Sequence, residues 1–169
     1  MTATGQAAEA ARIVDELSRA IDGDPWHGTS VAAILRDVTA GIAATRPHDR
    51  VHSIWEIVRH MTAWTNEVAR RLDGNPAGEP QEGDWPVPNG TTKDDWARDV
   101  AALFDAHRRL LHTVSGWSES RLVAPPSDAR DRSAGSGVSH YVLLHGLAQH
   151  HAYHAGQIAL LKKMAAGDS

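Results

Sequence analysis

Residues 149–158 read QHHAYHAGQI and carry two histidines, His150 and His154, that are four positions apart. On an α-helix this spacing places both imidazole rings on one face, one turn apart, as in helices whose histidines bind one zinc ion. The pair continues an apolar stripe, with steps of three and four, that consists of Leu143, Leu147, Ile158 and Leu161. A buried polar group without a partner costs about 1–3 kcal/mol. The placement therefore predicts that the two rings share a ligand, and one metal ion would satisfy both.

A histidine metal site needs a third protein ligand, and His60 is the candidate. Catalytic zinc sites take three protein ligands and keep one position for water. Residues 54–72 carry apolar side chains at helical spacing, and His60 lies beside this stripe near the middle of the segment. A facing helix would bring His60 to His150 and His154. The alternative interpretation is that these histidines are surface residues or hydrogen-bonded core residues that bind no metal.

The hydrophobic periodicity predicts four long helices and no strands. The predicted helices cover about residues 6–21, residues 54–72, the segment between Thr92 and Gly116, and about residues 139–164. Ser53 is the predicted N-cap of the second long helix, and Glu56 completes a capping box with it. We therefore expect an all-α fold, a four-helix bundle, in a single domain over residues 1–169.

The segments between these helices are unusually long for a bundle. A short helical piece is predicted at residues 31–36, with another turn or two at residues 38–45. Residues 74–90 and 124–137 are rich in glycine and proline and read as irregular loops. A loop as long as the first of these is usually functional or mobile.

The composition excludes several classes of protein. The chain has no cysteine, so it has no disulfides, thiolate metal ligands or cysteine nucleophile. The formal net charge is −4, which argues against nucleic acid as a partner. No run approaches the roughly 18 apolar residues of a membrane span, and no signal peptide is visible, so we expect a cytoplasmic protein. The 11 histidines favour metal or proton chemistry.

Two motifs resemble the DinB/YfiT-like superfamily. One is the His-x-x-x-His-x-Gly-Gln-Ile pattern at residues 150–158, and the other is SIWEIVRH at residues 53–60. Trp64 and residues 71–74 and 26–28 also fit, so the resemblance covers about residues 26–163. It implies a four-helix bundle that holds one metal ion through His60, His150 and His154, and that pairs into a homodimer. Relatives often carry aspartate where this chain has His151, which puts a supporting role of that position in doubt.

The resemblance implies a small-molecule substrate and two reaction classes. Related proteins transfer small thiols, with bacillithiol, mycothiol or glutathione as co-substrate, or are labelled metal-dependent hydrolases. Imidazole ligands suit several divalent transition metals, among which we expect zinc or nickel. Two alternatives stay open. One is a non-catalytic metal-binding or stress-response protein, and the other is a structural helical dimer with hydrogen-bonded histidines and no metal.

Several further residues have two interpretations each, and none is assigned as catalytic. Glu56 and Glu67 flank His60 and are candidate acid–base groups, although solvated side chains in local ion pairs are the favoured interpretation. Trp85 either lines the mouth of a pocket or is an ordinary core aromatic. Gln157 either hydrogen-bonds near the site or is solvated, and Gly156 either allows close approach of another helix or is merely tolerated. The remaining histidines are expected mostly at the surface or in caps: His27, His48, His52, His107, His112, His140, His145 and His151.

Overall fold

A computed structural model describes residues 3–126 and 138–167. The described residues form seven helices and no strands, which confirms the all-α prediction. The helices are α1 (Ala3–Ile21), α2 (Val31–Leu35), α3 (Ala40–Ala44), α4 (Ile54–Leu72), α5 (Lys93–Val114), α6 (Glu119–Val123) and α7 (His140–Gly167). None of these helices is long and apolar enough to cross a membrane.

The four long helices α1, α4, α5 and α7 form a bundle in which each packs against two of the others. The bounds of these helices agree with the periodicity to within a few residues. Helix α6 was not predicted, because its five residues are too few for a periodic pattern to stand out. Most of the predicted irregular segment at residues 124–137 lies outside the described residues.

Helix α4 begins where its sequence predicts. Ser53 Oγ accepts a hydrogen bond from the Glu56 amide at 3.2 Å, and the Glu56 carboxylate accepts one from the Ser53 amide at 2.8 Å. This capping box satisfies two amide groups that the first turn leaves unpaired. The apolar stripe of α4 is fully buried, from Ile54 to Leu72. Capping and stripe together fix which face of α4, and hence which side of His60, meets the other helices.

Helices α4 and α5 run in the same direction. Trp55 Nε1 donates to Asp99 Oδ2 at 2.7 Å near the start of both helices, and Arg109 donates to Asn66 Oδ1 at 3.4 Å further along both. Residues 73–92 must therefore return over the length of α4, which for 19 residues is about 28 Å. This requirement explains the length of the connection, which we call the crossover loop.

A polar layer divides the core into two apolar clusters. One cluster contains Ile57, Met61, Leu103 and Ile158, and the other contains Val68, Leu110, Leu144 and Leu147. Between them on α4, α5 and α7 lie the polar-layer residues Thr65, His107 and His151, which are at most 1% exposed. Thr65 Oγ1 donates to the Met61 carbonyl at 2.7 Å, so it accepts from His151 Nε2 at 3.2 Å. The layer thus links α4 to α7 through a side-chain hydrogen bond.

The expectation that most other histidines lie at the surface is wrong for His107, His140 and His151, which are buried. Helix α7 packs against both α1 and α4, so its buried face is wider than a single stripe. His151 lies on the middle of this face, between Ala148 and Ala155. An angular offset of about 100° from His150 was therefore not enough to bring His151 to the surface.

We expect the burial of His107 to make the protein less stable in acid. Burial lowers the pKa of His107 from 6.5 to about 4, so the unfolded chain binds a proton at this residue between these values and the folded chain does not. Stability is thus full above pH 6.5 and falls as the pH drops toward 4. The loss attributable to His107 is about 2 kcal/mol between pH 7 and pH 5. Urea unfolding of metal-free wild type and His107→Leu at both pH values measures it, and equal losses in the two proteins would contradict it.

Candidate metal centre

The structure brings together the three histidines that the sequence singled out. Helices α4 and α7 carry them to facing positions, with His60 on the first and His150 and His154 on the second. His150 Nε2 lies 3.0 Å from His60 Nε2 and 3.1 Å from His154 Nε2. The three ligand atoms lie within 4.8 Å of one another. His60 and His154 are buried, and His150 is partly buried.

The outer nitrogens of two of these rings are held by hydrogen bonds. His60 Nδ1 donates to the Asp84 carbonyl oxygen at 2.6 Å, and His154 Nδ1 donates to Gln157 Oε1 at 2.6 Å. The Gln157 amide in turn donates to the Tyr153 hydroxyl at 3.1 Å, which fixes the orientation of its oxygen toward His154. With Nδ1 protonated, the Nε2 atoms of His60 and His154 both carry lone pairs.

The cluster has fewer protons than its nitrogen atoms need. A neutral imidazole carries one N–H, so among the three Nε2 atoms only that of His150 is free to bear a proton. One N–H on His150 Nε2 does not satisfy both the lone pair of His60 Nε2, 3.0 Å away, and that of His154 Nε2, 3.1 Å away. Zinc with Zn–N bonds of about 2.0–2.1 Å in a tetrahedron sets ligand nitrogens about 3.3 Å apart. The two distances from His150 Nε2 lie within a few tenths of an ångström of this value, so the residues present fit a divalent cation.

Burial keeps the three rings neutral. It lowers the pKa of His150 to about 3, with further lowering by His154 and then His60. Burial likewise lowers the pKa of His154 to about 4, and it lowers the pKa of His60. Neutral imidazole is the form that binds a metal ion, so at neutral pH the cluster releases no net proton when a metal binds.

Two tryptophans enclose the cluster. The Trp85 ring stacks on His60 with centroids 3.9 Å apart, and its other face stacks on His52 at 3.6 Å. Trp64 approaches His60 edge-on at 6.4 Å, and its Nε1 donates to Asp84 Oδ1 at 2.7 Å. Trp85 therefore lies against the site, in line with the first of its two interpretations. The crossover loop acts as a cover that supplies both Trp85 and the Asp84 carbonyl.

Glu56 and Glu67 are not part of the site, and the expectation that they are solvated is also wrong. Glu56 is 6% exposed and pairs with Arg46, and Glu67 is 2% exposed and pairs with Arg70 and Arg71. Burial raises the pKa of each carboxyl, but hydrogen bonds from the arginines together with those from Ser53 (to Glu56) and Gly78 (to Glu67) outweigh it and hold both pKa values below their ordinary range. Both groups stay ionised and occupied by their partners. They stabilise the helix start and the crossover loop.

Two neighbours of the cluster, Asp84 and His52, could not be recognised from the sequence pattern. Asp84 contributes its backbone carbonyl, and its carboxylate lies 3.3 Å from His60 Nδ1; these contacts join distant positions of the chain and leave no local pattern. His52 precedes α4 and contacts Trp85, not the cluster itself. Gln157 had two interpretations, a hydrogen bond near the site or a solvated side chain, and its contact with His154 agrees with the first.

Comparison with known proteins gives one further finding. A family model described as the DinB superfamily matches residues 26–158. This range runs from the loop after α1 to the second half of α7 and contains His60, His150 and His154. No curated protein and no solved structure matches the chain.

Proposed function

Because this chain belongs to the DinB superfamily, we propose that it is a metal-dependent enzyme. It binds one divalent transition metal ion, zinc or nickel, through His60, His150 and His154. The observation that carries the proposal is the convergence of the three Nε2 atoms, two of them locked as lone-pair donors. The proton-poor cluster also separates this proposal from a structural role of hydrogen-bonded histidines. Such a role would require a donor for every lone pair.

The ion would supply Lewis acidity, which lowers the pKa of a bound water or small thiol toward neutrality. The chain's own residues do the rest. Three neutral imidazoles add no negative charge at the ion itself, and the Asp84 carboxylate lies 3.3 Å from His60 Nδ1, on the outer side of that ring. Asp84 and Gln157 hold the rings of His60 and His154 in place, as outer hydrogen bonds do in other histidine sites. Trp64 and Trp85 keep bulk water away from the cluster.

We propose a small-thiol-dependent S-transferase or a hydrolase as the reaction class. Both acidify a nucleophile at one metal ion, and both act on a small-molecule substrate. Both classes occur in the family that residues 53–60 and 150–158 resemble, and the motifs do not separate them. A non-catalytic metal-binding protein is the alternative.

The proposal is tested by loading metal-free protein with zinc or nickel. We expect close to one equivalent of metal per chain by elemental analysis. The loaded protein is then assayed for conjugation of 1-chloro-2,4-dinitrobenzene with glutathione, mycothiol or bacillithiol, and for hydrolysis of p-nitrophenyl acetate. Turnover that a chelator abolishes supports an enzyme, whereas metal binding without turnover supports the non-catalytic alternative. Failure to bind metal would exclude both.

We also propose that the chain forms a homodimer, as the family resemblance implies, and that it folds as one domain. Exposed apolar side chains on α7 support pairing, since Tyr153 is 66% exposed and Leu160 is 60% exposed. Sedimentation velocity distinguishes the dimer from a monomer of 18.3 kDa.

A further inference from the structure

A groove between α4 and α7 adjoins the histidine cluster and shares His150 with it. Its volume is about 260 Å³. The groove is lined by Trp64, Val68 and Arg71 of α4 and by Leu143, Leu147 and His150 of α7, among others. Its surface is mainly apolar. An apolar concavity with a few polar groups at one end is the usual form of a small-molecule site.

The groove is continuous with the cluster through two residues. His150 is the one cluster histidine that is only partly buried, and its ring forms part of the groove wall. Trp64 forms another part, and its ring centroid lies 6.5 Å from that of His150 and 6.4 Å from that of His60. A molecule in the groove therefore contacts the His150 ring, whose Nε2 atom faces the metal position.

The lining of the groove disfavours charged ligands, because its one charged side chain among the described residues is already paired. Arg71 is the one charged residue among the described groove residues. Its Nε donates to Glu67 Oε1 at 2.8 Å, and an Nη donates to the Gly78 carbonyl at 2.6 Å. The guanidinium also lies 5.7 Å from the centre of the Trp64 ring. The guanidinium charge is already paired with Glu67 and the rest of the lining is mainly apolar, so a charged ligand group would lose hydration here, whereas apolar surface is favourably buried.

We propose that this groove binds an uncharged aryl group of the substrate and so directs the reacting atom of that substrate toward the histidine cluster. A cavity of about 150 Å³ lined by apolar side chains holds benzene, so the larger groove accommodates a substituted aromatic ring. This inference rests on the proposed metal-dependent function for its role in a reaction. The binding of an aryl group by the groove does not depend on metal.

The first test uses metal-free protein and two fluorinated probes followed by 19F NMR. We expect saturable binding of 4-fluorotoluene and at least about 10-fold weaker binding of the anion 4-fluorobenzoate. In Gly146→Leu the added side chain enters the groove, since a Cβ at Gly146 meets no atom within 4 Å, and binding of 4-fluorotoluene falls at least about 10-fold. Ala101→Leu adds the same side chain to an exposed position of α5 and leaves binding unchanged.

A second variant covers the case in which Gly146→Leu does not fold. Val142 lines the groove and is 51% exposed, so Val142→Glu is tolerated by the fold and places a carboxylate beside the probe. It is expected to weaken binding of 4-fluorotoluene in the same way. Binding that is absent in wild type, or unchanged in the variant that folds, would overturn the proposal.

A nickel-loaded sample then tests the link between groove and metal. Paramagnetic nickel at the cluster is expected to broaden the 19F line of bound 4-fluorotoluene beyond that in the zinc-loaded protein. Equal line widths would show that the bound ring lies away from the cluster and would overturn the proposal. If the protein takes up no metal but still binds 4-fluorotoluene in the groove, the proposed metal function fails while aryl binding stands.

Discussion

His150→Ala lowers the affinity of the protein for zinc or nickel by more than about 100-fold, because changes to outer hydrogen bonds alone cost 10–100-fold and this change removes a ligand. His150 Nε2 lies within 3.1 Å of both other ligand nitrogens. Its loss removes the nitrogen that lies close to both of them and leaves only two ligands. The same result is expected for His60→Ala and His154→Ala. Competition with a chromophoric chelator measures the affinities, and elemental analysis gives the stoichiometry.

Two further variants make this series decisive. Gln157→Leu removes the acceptor of His154 Nδ1 but no ligand, so affinity is expected to fall by only 10–100-fold. His112→Ala removes an exposed histidine of α5 and is expected to change nothing. Circular dichroism of the metal-free proteins checks that each variant is folded. Near wild-type affinity in any one of the three ligand variants would remove that residue from the site.

Glu67→Ala is expected to destabilise the protein by about 2–3 kcal/mol, below the roughly 3–5 kcal/mol of a fully buried ion pair, because the Arg70 and Arg71 side chains are 27% and 11% exposed. The Glu67 side chain is fully buried and accepts from Arg70 and Arg71, each at 2.8 Å. It also accepts from the Gly78 amide at 3.2 Å, which ties the crossover loop to α4. The variant leaves two guanidinium groups and one amide without this acceptor. Urea unfolding at neutral pH measures the loss.

The control for this prediction lies on the crossover loop that Glu67 contacts. Glu82 is exposed, and Glu82→Ala is expected to change the free energy of unfolding by no more than about 0.5 kcal/mol. The pKa of Glu67 is lowered in the folded protein, so its contribution is present at neutral pH and is lost as the pH falls through its titration in acid. A loss below about 1 kcal/mol for Glu67→Ala would show that solvent or other groups replace the carboxylate.

Local signals were enough to predict the long helices and the three histidines. These signals involve residues that are close together in the sequence. They are the capping box of Ser53 and Glu56, the apolar stripe of α4, and the four-residue spacing of His150 and His154. The contacts that these signals miss join distant segments. The periodicity of α4 and α5 does not reveal that they run in the same direction, and therefore does not place the crossover loop over His60.

The burial of Glu67 shows a second limit of sequence reasoning. Its spacing to Arg70 and Arg71 is that of an ordinary surface ion pair on a helix. Only the tertiary position of the crossover loop, which covers the pair through Gly78, makes it a buried group. The case of His151 is similar, because a polar residue between Ala148 and Ala155 gives no sign that two helices enclose it.

The polar layer of Thr65, His107 and His151 has a consequence for how the helices are aligned along the bundle axis. Two purely apolar surfaces can slide past each other by one turn, about 5.4 Å, with little change in buried area. Such a slip here would separate His151 from Thr65 and push imidazole rings into the apolar clusters on either side. A buried polar residue fixes the register of coiled coils in this way. The layer thereby sets the axial register of α4 against α7, so that His60 faces His150 and His154 already in the metal-free protein.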